Sequence, residues 1–105
     1  MRAKHYAAQS GYVYEYGFDQ RETIGLDEHF TFRILAPKGF AAVTVILPPD
    51  ALLLARDLNA TERYAIAKLS LFAAFDERPN PAAMAEPVIV TAAGVAQALA
   101  SLDLA

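Results

Sequence analysis

The chain has no cysteine and no tryptophan, and only two histidines among its 105 residues. Without cysteine, disulfides, thiolate metal sites and a thiol nucleophile are excluded. Long apolar runs are missing too. The weakly apolar stretch from Val88 to Leu102 is too short and too polar to span a bilayer. The first residues include Arg2, Lys4 and His5 with no apolar run behind them, unlike a secretory signal. Positive charge is also scarce, with nine Lys and Arg against twelve Asp and Glu, a net charge of −3 and a pI near 5.2. Binding a polyanion needs a basic stripe, and none is present. These deficits predict a soluble cytoplasmic protein with neither membrane nor nucleic acid as partner.

What is abundant points to an ordinary globular core. Hydrophobic residues make up 55% and charged residues 20% of the chain, a globular rather than disordered balance. Twenty-two alanines suggest closely packed, small-residue helices. Residues 1–10 show no period and read as a loose arm, and 11–105 as one α+β domain.

The segment GYVYEYGF places Tyr12, Tyr14, Tyr16 and Phe18 at every second position, the period of a strand over about 11–19. Asp19 to Asp27 reads as a charged connecting loop. EHFTFRIL, residues 28–35, alternates again, APKG reads as a turn, and FAAVTVIL continues as a strand to form a β-hairpin. Its register has two solutions. A three-residue loop sets Phe32 opposite Thr44. A four-residue loop sets Phe30 opposite Val45 and Phe32 opposite Val43, and one residue of slip exchanges the faces. Apolar on both sides, 40–47 has the character of a central strand.

Pro48 and Pro49 end that strand and begin a short helix over about 50–58, with Leu52, Leu53, Leu54 and Leu58 available to bury. Asn59 or Thr61 caps a long helix running to Arg78, whose apolar arc includes Tyr64, Leu69, Leu71, Phe72 and Phe75. VIVT at 88–91 reads as a short interior strand, and Thr91 caps a last helix with Val95, Leu99 and Leu102 facing inward. The order β-β-β-α-α-β-α predicts a mainly antiparallel sheet of about four strands with helices on one face. In size, alanine content and element order the chain resembles small bacterial α+β proteins, but no motif assigns a family.

Three groups of residues bear on chemistry. The rings of Tyr12, Tyr14, Tyr16 and Phe18 have two readings: core beneath the long helix, or an aromatic face for a partner or second copy. A base-stacking platform would need surrounding positive charge, yet Glu15 lies within the row. Asp27, Glu28 and His29 are adjacent, but neighbouring strand side chains point apart, so only Asp27 and His29 share a face. Two ligands do not make a metal site, and no metal or cofactor is expected. Lys68 falls inside the apolar arc of the long helix, where it either snorkels to water, pairs with a carboxylate such as Glu15, or serves as a base. The residues therefore favour a non-enzymatic protein-interaction or self-associating module, as a homodimer or with a protein partner, using the aromatic sheet face. The alternative is a small-ligand-binding or enzymatic domain with a cleft near Lys68, Glu15 and His29.

Overall fold

The computed structural model describes residues 3–52 and 57–102. Four strands follow one another in antiparallel order: β1 (Lys4–Ala7), β2 (Val13–Ile24), β3 (Asp27–Ala36) and β4 (Gly39–Leu47). A 3-10 turn (Pro49–Leu52) precedes helix α1 (Ala60–Glu77), and a second one (Pro81–Ala85) leads to β5 (Val88–Ile89) and helix α2 (Ala92–Ser101). Strand β5 pairs parallel to β4, giving a sheet in the order β1-β2-β3-β4-β5. This is an α+β fold with a mostly antiparallel sheet, of five strands rather than four.

The additional strand lies in the segment expected to be a loose arm. Lys4 pairs with Tyr16 and Ala7 with Val13. The linking loop is closed by Ala8 N–H donating to the Tyr12 carbonyl and Gly11 N–H donating to the Ala8 carbonyl, both at 2.9 Å. Gly11 has φ +95°, the conformation that ends a three-residue hairpin loop. Residues 19–27 are also strand rather than loop. β2 continues to Ile24, and Gly25 and Leu26 alone connect it to β3, with Gly25 at φ +62°. Between Phe18 and Gln20 the pairing slips by one residue. Such a bulge breaks the alternation that a sequence pattern depends on.

The hairpin between β3 and β4 takes the register that pairs Phe30 with Val45 and Phe32 with Val43. Of the two solutions, this is the one that puts Phe30, Phe32 and Ile34 on the same face as Val43, Val45 and Leu47. β4 is interior to the sheet, as its two-sided character implies, but Val88 and Ile89 form an edge strand rather than an interior one. Of the short helix expected over 50–58, only the turn to Leu52 and residues 57–58 fall within the described residues. Leu53 and Leu54 lie outside them.

Helix α1 begins at a capping box. Asn59 accepts from Glu62 N–H at 2.8 Å, and the Glu62 carboxylate accepts from Asn59 N–H at 3.0 Å. It then lies over the inner sheet face and buries Ile66, Leu71 and Phe75 against Tyr14, Tyr16, Phe30, Phe32, Val43 and Val45. Full burial of each such side chain contributes about 1.5–3 kcal/mol. Thr91 caps α2, accepting from Gly94 N–H at 3.0 Å, and Val95 and Leu99 close the core. Among the described residues, no helix is long and apolar enough to cross a membrane.

Candidate functional site

The ring row lies on the inner face, under α1. Tyr14 is fully buried and stacks on Phe75 with ring centroids 4.0 Å apart. Tyr16 is buried and meets Phe72 edge-on at 5.5 Å. The ends of the row are different. Tyr12 and Phe18 keep 36% and 37% of their surface exposed, Phe18 resting edge-on against Tyr64 and Phe32. Of the two readings of the row, core holds for Tyr14 and Tyr16, because α1 supplies Phe72 and Phe75 as stacking partners, and these two rings are not open to a partner. Burial raises the pKa of Tyr14, Tyr16 and Tyr64 above the ordinary phenol value.

Glu15, His29 and Lys68 are not brought together. Glu15 projects from the outer sheet face, where its carboxylate lies 3.4 Å from His5 Nε2. His29 is also on that face, opposite Glu22 and Ile46. Along β3 it stands roughly 20 Å from the level of Glu15, at ~3.3 Å per residue. Lys68 is on the helix side of the sheet, its Nζ 5.8 Å from the centroid of Phe72. No cleft is formed by the three. Lys68 has a lowered pKa, first from burial and then from the neighbouring Lys4 ammonium. Glu15 does not pair with Lys68.

Two polar clusters connect elements distant in sequence. Glu28, on the inner face of β3, receives Arg63 Nε at 2.9 Å and lies 3.4 Å from Arg21 Nε. Arg21 reaches this face because of the bulge at Asp19. At the other end of α1, Tyr6 Oη donates to Asp76 at 2.6 Å, and Gln9 N–H donates to the same carboxylate at 3.0 Å. The Tyr6–Asp76 hydrogen bond, with burial and the negative charge adding to it, raises the Tyr6 pKa. Tyr6 and Asp76 flank a groove of about 560 Å³ between α1 and α2, into which Ser70, Gln97 and Ser101 also project. Sequence reasoning missed this groove, since the residues that build it are some seventy positions apart and share no motif. Among the described residues, no group of three or more His, Asp or Glu is placed to hold a metal ion.

Among the described residues, no helix lies over the outer face. Its exposed apolar residues include Val13 and Ile24 near the two ends of β2, Leu35 beside its cross-strand partner Phe40, and Ile89 beside the half-buried Ile46. Phe40 and Ile89 are 60% and 64% exposed. The outward positions of β4 and β5 (Phe40, Ala42, Thr44, Ile46 and Ile89) carry no charge. Among the strands, the outward charges are on β1, β2 and β3, where Arg33 lies 4.0 Å from Asp19. No protein-family model, curated protein or solved structure matches the chain.

Proposed function

We propose that this chain is a non-enzymatic, self-associating interaction module in which a second copy covers the outer face of β3, β4 and β5. The observation that carries this reading is the uncharged strip of Phe40, Ile46 and Ile89 with Leu35 alongside, on a face over which no helix lies among the described residues. The interaction surface is thus the reverse of the ring row, whose centre is occupied by α1.

Charge favours a second copy as the occupant. A two-fold interface brings each patch against itself, so a charged patch meets like charge. With a net charge of −3, that penalty applies to the acidic β2 side and not to the neutral β4–β5 side. Leu35 and Phe40 lie at one end of the strip, and Ile46 and Ile89 roughly 20 Å away at the other. A two-fold axis running across the strands therefore places each copy's Phe40 over the partner's Ile46 and Ile89.

Light scattering coupled to size exclusion at tens to hundreds of micromolar tests the reading. The wild type is expected to elute as a dimer, and Phe40→Asp and Ile89→Asp as monomers with unchanged thermal unfolding, both side chains being exposed. A wild type that stays monomeric at several hundred micromolar overturns the proposal.

A further inference from the structure

The geometry points to the free edge of β1 as a docking site for an extended, acidic segment of another protein, added as a sixth strand and anchored by Lys4 and Lys68.

The first observation concerns the backbone. Ala8 N–H bonds to the Tyr12 carbonyl, and in an antiparallel ladder such bonding alternates along the strand. Ala8, Tyr6 and Lys4 therefore direct their backbone groups towards β2, opposite Tyr12, Tyr14 and Tyr16. His5 and Ala7 direct theirs away from the sheet. β1 has β2 as its only neighbour in the sheet among the described residues, so these outward groups present an open template for strand addition.

The second observation is independent of the first. Lys4, on the inner face of β1, stands near enough to Lys68 on α1 for its charge to lower the Lys68 pKa, after the larger effect of burial, and the Lys68 ammonium lies over the Phe72 ring. Among the described residues, no carboxylate lies within ion-pair distance of either lysine. Two adjacent ammoniums, one of them partly buried, repel each other in a chain that has an excess of acid elsewhere. A carboxylate placed between them relieves that repulsion.

The two features meet at one place. A strand added to β1 lies ~4.8 Å away. Its residue opposite Lys4 has a Cβ about 5 Å from that of Lys4, so a glutamate there reaches both ammoniums. Two residues along, the added strand passes Tyr6, which is stacked on Phe72 at 4.3 Å, and an apolar residue suits that position. Edge lysines also protect against aggregation by repelling incoming strands. That protection acts on neutral and basic strands, and selects acidic ones.

The test uses two fluorescein-labelled octapeptides, Thr-Val-Thr-Glu-Thr-Val-Thr-Glu and its counterpart with lysine in place of glutamate, titrated with the intact chain in fluorescence anisotropy. The acidic peptide is expected to bind and the basic one not. Lys4→Gln and Lys68→Gln each weaken binding up to about fivefold, the upper end for an exposed ion pair. Ala7→Pro removes an outward N–H that β2 does not use, so it blocks docking while leaving the fold intact. In the wild type, hydrogen exchange at the His5 and Ala7 amides slows when peptide is bound, a readout independent of whether the proline variant folds. Equal binding of both peptides, no binding at several hundred micromolar, or binding without protection of those two amides overturns the inference.

Discussion

Phe75 is the side chain around which the ring cluster is arranged. Tyr14 lies parallel to it at 4.0 Å, and Tyr6 and Tyr16 lean on it from β1 and β2 at 5.8 and 6.2 Å. Stacked and tilted pairs at these separations contribute about 0.5–1.5 kcal/mol each beyond the area they bury. The two halves of the ring row should therefore respond very differently to truncation. Tyr14→Ala leaves a ring-sized cavity beneath α1 and is expected to cost about 3–5 kcal/mol, a large part of the stability of a small domain. Tyr12→Ala, at the exposed end of the same row, should stay within about 1 kcal/mol. Urea unfolding of the two variants separates the outcomes, and equal losses would show that the row is not divided into core and rim.

At the scale of elements, helix α1 is held at its start by a reciprocal cap and near its end by the Tyr6–Asp76 hydrogen bond. Asn59→Ala removes the side-chain acceptor of the cap and is expected to cost about 1 kcal/mol, seen as a fall in Tm of roughly 5 °C. An unchanged Tm would mean that packing alone fixes the helix start. This cap was legible in the sequence as Asn59 followed three residues later by Glu62, and so was the hairpin of β3 and β4, because both signals are local. β1 was not legible. KHYA has no apolar alternation, and it becomes a strand because β2 offers a backbone ladder and Phe72 a surface for Tyr6. The second half of β2 was hidden for another reason. The bulge beside Asp19 puts Arg21 where alternation calls for an outward residue, and the inward arginine meets Glu28 at 3.4 Å. As for sites, residue type marked Lys68 as unusual, but its neighbour Lys4 is supplied by a strand that the pattern concealed.

Across the whole molecule, the tyrosines make the fold sensitive to alkali. Tyr6, Tyr14, Tyr16 and Tyr64 all hold their protons more tightly in the folded chain than an ordinary phenol does, Tyr6 chiefly through its bond to Asp76 and the others chiefly through burial. The unfolded chain releases these protons near pH 10, while the folded chain retains them to higher pH. Wherever the folded state binds more protons, stability falls as pH rises. The stabilisation is therefore complete below about pH 10 and is lost as the pH climbs from there through the raised folded values. Unfolding followed by circular dichroism should show a Tm without this tyrosine-linked decline up to about pH 9.5 and a steep fall beyond it, with tyrosinate absorbance appearing together with unfolding. Asp76→Asn removes the largest cause of the Tyr6 shift, so this variant should be less stable at neutral pH and lose less further stability between pH 9.5 and 11. If the alkaline fall is as steep in Asp76→Asn as in the wild type, Tyr6 has no part in it, and the buried tyrosines of β2 and α1 account for the whole effect.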